Sequence, residues 1–314
     1  MVGSLTFTAT PFAHLELPTL KPEKNLWSTW LSRGLSAALL IAIVLQLGQI
    51  NTAQLHDTLP ENLWFLPVLL ALYFALPIAD WIIFRRLWIL PVSGFFILLA
   101  KRIGNEVLIS YSGEVYFYLW ARKRTELSSA PFGAIKDVNI LSALAANLIA
   151  LLLLCITYPF VSQLHLGAYT DASVLSAAIF LILSFVVLFF SRRVFTLERP
   201  ELWWIFGVHI IRLSAGTLLC ALLWYIILPG PHFGFWLVLS MIRLLVGRLP
   251  FLPNKEALFA VIAVFLVGQD SAVSTLITLT ATAMLALHFI VAAMLGGGAL
   301  FSRYQGMLPE KARA

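Results

Sequence analysis

The chain has 314 residues, of which 61% are hydrophobic and only 11% are charged, with a formal net charge of +6. This composition excludes a soluble globular domain, because soluble domains carry about a quarter charged residues. Several apolar stretches approach or reach the roughly 20 residues that a helix needs to cross the hydrocarbon core. These stretches are continuous rather than alternating, which excludes a β-barrel and predicts an all-α polytopic membrane protein.

The apolar stretches predict about six full transmembrane helices and two hairpins of short helices. Residues 1–30 precede them as an expected cytoplasmic tail, since this segment lacks the positive start of a secretory signal. The membrane segments, in chain order, cover residues 31–50, 63–84, a first hairpin at 87–121, 135–161, 174–191, 202–228, a second hairpin at 235–268, and 272–300.

Lys and Arg residues indicate which loops face the cytoplasm. The first hairpin begins and ends near clusters of basic residues, whereas the second begins and ends at loops without Lys or Arg. Each hairpin therefore starts and finishes on one side of the membrane, and the two enter from opposite sides. With arms of about 12–15 residues, re-entrant hairpins fit better than pairs of full spans, which would need membrane thinning.

The order of segments predicts a two-fold inverted repeat. Residues 31–161 and residues 162–300 each contain two spans, one re-entrant hairpin and one further span. The first repeat starts inside the cell and the second outside, and residues 301–314 are expected to form a cytoplasmic tail. Paired interruptions at matching positions of two repeats are the best sequence indication of a transporter substrate site.

Candidate substrate-binding residues are the polar side chains of the hairpins and one Arg in the span at 202–228. Charges at membrane depth are costly and usually functional. Their excess of bases favours an anionic ligand such as phosphate, which Arg can bind through two hydrogen bonds. The candidates are Lys101, Arg102, Asn105, Glu106, Glu114, Arg212, Arg243, Arg248, Asn254, Lys255 and Glu256.

Structural interpretations of the same residues remain open. Arg212 could pair with one of the three glutamates and only orient helices. Asp80, one turn before Arg85, is expected to form a salt bridge with it at the helix end. Gly104, Gly113 and the prolines at 250 and 253 could kink a helix rather than line a cavity.

Nothing in the sequence indicates a metal or another cofactor. The six histidines show no spacing typical of ligands on one helix face. Cys155 and Cys220 both lie within apolar stretches, so we expect buried thiols rather than a disulfide.

Short motifs in both hairpins resemble a known family. Asn105, then Gly113-Glu114, then Arg122-Lys123-Arg124 resemble the Asn…Gly-Glu…Arg stretch of the lysylphosphatidylglycerol synthase/flippase transmembrane family. The proline-rich segment at residues 249–253, followed by Glu256-Ala257 and an apolar helix, resembles the same family's second hairpin. The resemblance covers roughly residues 30–300 of the chain.

This resemblance implies a lipid transporter that moves aminoacylated or other phospholipids, glycolipids or polyprenyl-linked lipids between leaflets. The sequence shows no eukaryotic targeting signal, so we expect a bacterial inner membrane. The expected partners are membrane lipids, a second copy of the chain and a separate lipid-modifying enzyme; no nucleic acid is expected. We do not expect enzymatic activity, because no transferase domain accompanies the membrane segments. Three alternatives remain: a small-anion transporter or channel, a membrane enzyme using Glu106 and Glu114, and a non-catalytic assembly subunit.

Overall fold

A computed structural model describes residues 62–88, 90–108, 111–122, 131–163, 195–249, 254–267 and 272–307, with isolated positions between 174 and 186. The predicted span at 31–50, both predicted tails apart from residues 301–307, and most of the span at 174–191 lie outside the described residues. Within the described residues helices are joined by short turns and irregular segments, and there are no strands. The predicted all-α class is therefore confirmed for this part of the chain.

The described part of the chain contains four long and four short α-helices, together with one π-helical turn and one 3₁₀ turn. In chain order they are α1 (Phe65–Trp88), α2 (Val92–Ile103), a π-helical turn (Gly104–Leu108), α3 (Ser112–Arg122), α4 (Pro131–Thr157), a 3₁₀ turn (Tyr158–Gln163), α5 (Arg199–Tyr225), α6 (Phe233–Val246), α7 (Lys255–Val267) and α8 (Ala272–Met307). Helices α1, α4, α5 and α8 are long and apolar enough to cross a membrane, as expected of a multi-pass membrane protein.

Long apolar helices occur where the sequence predicts spans at 63–84, 135–161, 202–228 and 272–300, with ends displaced by a few residues. The hairpin segments consist of short helix pairs, α2 with α3 and α6 with α7. At 1.5 Å per residue these arms measure roughly 16–21 Å, which is less than the ~30 Å hydrocarbon thickness. The order long helix, short pair, long helix thus occurs twice among the described elements.

Helix α5 lies at the centre of the described bundle, where it packs against α1, α4 and α6. Its Trp224 is fully buried and stacks on Phe259 of α7, with ring centroids 5.8 Å apart. The indole N–H of Trp224 donates to the Thr280 hydroxyl of α8 at 3.1 Å. A buried Trp with a satisfied N–H ties three helices of the second half together.

Two glycines allow the arms of the first hairpin to approach closely. A Cβ at Gly113 would overlap the carbonyl oxygen of Lys101 and the side-chain oxygen of Asn105. The Gly113 N–H instead donates to Asn105 Oδ1 at 2.8 Å, and the Ser112 hydroxyl donates to the Gly104 carbonyl at 2.7 Å. The Asn105 side chain therefore closes the hairpin from within, a structural role for one of the candidate binding residues.

Asn254 directly precedes α7, the returning arm of the second hairpin. Asn254 has φ 47°, a left-handed conformation that Asn tolerates better than most residues. Its side-chain oxygen accepts a hydrogen bond from the Ala257 N–H at 3.2 Å, as an N-cap does. The Asn254 side chain thus stabilises the start of α7. The prolines at 250 and 253 lie outside the described residues.

We predict that Gly113→Ala destabilises the protein by about 1–3 kcal/mol, because the added methyl group must displace backbone and side-chain atoms. Gly207→Ala on α5 is the matched control, since a Cβ there meets no atom within 4 Å. Melting temperatures of both variants in detergent would measure the difference. A Gly113→Ala variant as stable as Gly207→Ala would contradict the close approach of α2 and α3.

Candidate functional site

The turns of the two hairpins contact each other directly. The backbone N–H of Asn254 donates to the carbonyl oxygen of Glu106 at 2.7 Å. Glu106 lies within the π-helical turn, and such turns are rare and found frequently at functional sites. This contact brings polar residues from both halves of the chain into one region of the bundle.

Lys101 forms the centre of a buried charged triad in the first half. Its ammonium group lies 2.8 Å from Asp80 Oδ2 on α1 and 3.6 Å from Glu114 Oε1 on α3. Asp80 and Lys101 are only 4% and 5% exposed, so water screens their attraction little. The triad therefore links three helices through charge inside an apolar bundle.

The pairing of Asp80 corrects an expectation from the sequence. Asp80 was expected to pair with Arg85, one turn along the same helix, but it pairs with Lys101 instead. The Arg85 guanidinium lies over the Trp81 ring, 4.8 Å from its centroid. Asp80 points toward the α2 side of α1, whereas Arg85 is exposed. Burial of Asp80 makes a buried ammonium the partner that balances its charge.

Two arginines from different helices converge on one serine, and we call this set the arginine clamp (Arg212, Arg248 and Ser142). Arg212 of α5 donates to the Ser142 hydroxyl at 3.1 Å. Arg248, just beyond α6, donates to the Ser142 carbonyl at 2.9 Å and lies 3.4 Å from its hydroxyl. Ser142 belongs to α4, so the clamp joins α4, α5 and α6. Neither guanidinium pairs with Glu106, Glu114 or Glu256.

Arg243 and Glu256 form the only bidentate ion pair among the described residues. The Arg243 Nε donates to Glu256 Oε2 at 2.9 Å, and one Nη donates to Oε1. This pair connects α6 with α7 across the second hairpin. Two parallel hydrogen bonds between a guanidinium and a carboxylate make such an ion pair strong and geometrically specific. Arg243 is thereby neutralised and contributes little free positive charge.

Arg102 and Lys255 are held by backbone carbonyls rather than by carboxylates. Arg102 donates to the Tyr73 carbonyl at 2.5 Å, and its guanidinium lies 4.5 Å from the Tyr73 ring centroid. Lys255 donates to the Gly247 carbonyl at 2.8 Å. Carbonyl oxygens satisfy the hydrogen bonds of these cations but do not cancel their charge.

The region as a whole carries excess positive charge. In the described chain, ion pairs engage Lys101 and Arg243, whereas no carboxylate pairs with Arg102, Arg212, Arg248 or Lys255. Glu106 also forms no ion pair there. Six bases thus share the region with four carboxylates, leaving a formal excess of two positive charges. The bases are Lys101, Arg102, Arg212, Arg243, Arg248 and Lys255; the carboxylates are Asp80, Glu106, Glu114 and Glu256.

Three residues that complete these contacts were not among the candidate binding residues of the sequence. Ser142 and Tyr73 offer no sequence signal, because a single Ser or Tyr in an apolar helix usually serves packing. Asp80 did offer a signal, as an acidic residue at membrane depth, and its partner could have been sought among the bases of the hairpin.

No three His, Cys, Asp or Glu side chains lie close enough to hold a metal ion in the part of the chain that the structure describes. Comparison of the chain with protein-family models, with curated proteins and with solved structures gives no match. The chemistry of the region must therefore be inferred from its own residues.

We predict that Lys101→Met lowers the free energy of unfolding by about 3–5 kcal/mol, because it leaves the buried Asp80 and the partly buried Glu114 without their cation. The control is Arg86→Met, which breaks the exposed pair with Glu201 and should cost no more than about 1 kcal/mol. Reversible unfolding in mixed detergent micelles would compare them. Equal losses for the two variants would contradict a buried, stabilising triad.

Proposed function

We propose that the protein is an integral membrane transporter that moves a lipid with an anionic or zwitterionic head group between leaflets. The excess positive charge of the region favours an anionic head group, such as that of phosphatidylglycerol, over a zwitterionic one, such as that of phosphatidylcholine. The observation that carries the proposal is the arginine clamp. Two guanidinium groups at membrane depth converge on one neutral serine and form no ion pair within the described residues. Unpaired charges in such surroundings are costly, which favours an anionic ligand that pairs with them.

A phosphate group matches the donors of the clamp better than Ser142 does. Arg212 Nε is buried without a hydrogen-bond partner, so the clamp keeps an unused donor. The two guanidinium groups can together donate more hydrogen bonds than one hydroxyl and one carbonyl can accept. Phosphate oxygens accept bidentate bonds from Arg and carry the compensating charge. On binding, the phosphate would replace the Ser142 hydroxyl.

The proposed architecture is a two-fold inverted repeat with two re-entrant hairpins. Its support is the twofold order of long helices and short pairs, the limited length of the arms, and the hydrogen bond between Asn254 and Glu106 at the hairpin turns. Broken helices that meet within a bundle are typical of transporter substrate sites. Rocking of the repeats around this contact would expose the clamp to each leaflet in turn, while the lipid tails stay in the bilayer.

The resemblance of the hairpin motifs to the lysylphosphatidylglycerol synthase/flippase transmembrane family also supports lipid transport. It supports a bacterial inner membrane location and a role as transporter rather than enzyme. The basic clusters of the sequence support cytoplasmic termini. A non-catalytic subunit with fully paired charges fits less well, because four bases lack a carboxylate partner in the described part of the chain.

We predict that Arg212→Gln and Arg248→Gln each slow the movement of an anionic lipid by about 10- to 100-fold, since each removes charged hydrogen bonds of about 1.5–3 kcal/mol. Proteoliposomes of phosphatidylcholine with a trace of fluorescent phosphatidylglycerol would report it through dithionite quenching. Arg85→Gln is the matched control, because Arg85 is exposed and stacks on Trp81 away from the clamp.

Two results would contradict lipid transport that depends on head-group binding at the arginine clamp. One is equal movement of fluorescent phosphatidylcholine and phosphatidylglycerol, unchanged in both clamp variants, which indicates non-specific scrambling. The other is uptake of inorganic phosphate into the same vesicles, lost in the clamp variants, without any lipid movement. That outcome would indicate a transporter or channel for free anions.

A further inference from the structure

Arg212 uses only one of the two donors on the side of its guanidinium that faces Ser142. Its Nη2 donates to the Ser142 hydroxyl at 3.1 Å, whereas Nε is buried without a hydrogen-bond partner in the part of the chain that the structure describes. The second hairpin shows both donors in use, because Nε and Nη2 of Arg243 donate to the two oxygens of Glu256. The same two donors of Arg212 therefore match an anion with two oxygens on one atom better than a single hydroxyl.

Arg248 reaches the same hydroxyl oxygen from a second element. Its Nη2 donates to the Ser142 carbonyl at 2.9 Å and lies 3.4 Å from the hydroxyl. A terminal nitrogen of each arginine thus lies within 3.4 Å of one oxygen atom. An anion that replaces this hydroxyl can place one oxygen there, shared by both guanidinium groups. Its other oxygens are then available to the donors that Ser142 leaves unused.

Open space and a further unpartnered group lie next to Arg212 on α5. His209 precedes Arg212 by three residues and Gly216 follows it by four, so both are its neighbours on the helix surface. His209 is 1% exposed, and neither of its ring nitrogens has a hydrogen-bond partner among the described residues. A Cβ at Gly216 would meet no atom within 4 Å. The helix therefore has room beside Arg212 for a ligand that also bonds to His209.

We infer that the arginine clamp binds the phosphate monoester of a lipid, a head group with three terminal oxygens and about two negative charges. A phosphate diester, such as the head group of phosphatidylglycerol, has two terminal oxygens and one negative charge. The inference rests on the proposed lipid transport and narrows its substrate class to lipids that end in a phosphate monoester.

The number of oxygens favours a monoester over a diester. One terminal oxygen takes the position shared by the two guanidinium groups, and a second accepts the unused Nε–H of Arg212. A monoester still offers a third terminal oxygen to the remaining donors of Arg248 and to His209. A diester has only esterified oxygens left for these donors, and such oxygens are weaker acceptors because they carry no charge.

The number of charges favours the same head group. Among the described residues no carboxylate pairs with either arginine of the clamp, and the region has the formal excess of two positive charges counted above. A dianionic monoester balances this excess, whereas a monoanionic diester leaves one positive charge without a partner. Because an uncompensated charge in an apolar bundle is costly, the monoester should bind more tightly.

The experiment compares two short-chain lipids that differ by one methyl group. Dihexanoyl phosphatidic acid ends in a phosphate monoester, and dihexanoyl phosphatidylmethanol is the same lipid with one phosphate oxygen methylated. Isothermal titration calorimetry on the purified full chain in neutral detergent at pH 8.5 measures both affinities. We expect phosphatidic acid to bind about 10- to 100-fold more tightly, since it adds one charge and one charged hydrogen bond. Equal affinities, both lost in Arg212→Gln, would overturn the inference and leave the proposed function standing.

Variants of the clamp test where the preference arises. In Arg212→Gln and in Arg248→Gln, the ratio of the two affinities should fall to about 3-fold or less, because one of the two balancing charges is gone. Arg85→Gln, whose guanidinium stacks on Trp81 at the surface, should keep the full ratio. A ratio that is unchanged in both clamp variants would overturn the assignment of the monoester to the clamp.

Inorganic phosphate distinguishes a lipid from a free anion. It carries the same oxygens without acyl chains, so we expect it to displace phosphatidic acid only at concentrations at least about 100-fold higher. Inorganic phosphate that binds as tightly as phosphatidic acid would overturn the lipid assignment and indicate a site for free anions. Failure of both lipids to bind the unaltered protein would overturn the proposed function and the inference with it.

Discussion

Compensation of charge inside a bundle of apolar helices is the constraint on which the rest of the structure depends. Within an apolar bundle, each ionised side chain needs an opposite charge or a set of strong hydrogen bonds. Lys101 meets this need with Asp80 and Glu114, and Arg243 meets it with Glu256. In the part of the chain that the structure describes, the hydrogen bonds of the arginine clamp go to the neutral groups of Ser142 and to no carboxylate. The contrast between the paired and unpaired bases separates structural charges from those available to a ligand.

The short helices allow these charges to come together. A continuous span would separate Lys101 from Glu114 along its axis, whereas the hairpin folds α3 back onto α2 through Gly104 and Gly113. The second hairpin has no such glycine pair among its described residues and is held by the Arg243–Glu256 pair instead. Contact between Asn254 and Glu106 then joins the two turns. The charged side chains of the polar region thus lie mainly on α-helices, and the turns of the two hairpins hold those helices together.

The helical class and the four long helices of the described region were predictable from the sequence, because apolar length alone encodes them. The hairpin positions were also predictable, from glycine and charge within apolar stretches. The partners of the charged residues were not predictable. Asp80 pairs with Lys101, 21 positions away, rather than with Arg85, and Arg212 contacts Ser142 rather than a glutamate. Such choices depend on how helices rotate and pack against one another, which residue spacing within one helix does not specify.

A structure determined in nanodiscs that contain phosphatidylglycerol would test the central claim most directly. The account predicts head-group density between the guanidinium groups of Arg212 and Arg248, within hydrogen-bond distance of both, with the Ser142 hydroxyl released from the clamp. It also predicts no such density in nanodiscs of phosphatidylcholine alone at the same resolution. An arginine clamp that still holds Ser142 in the anionic bilayer, with ordered lipid only on the outer surface of the helices, would contradict it.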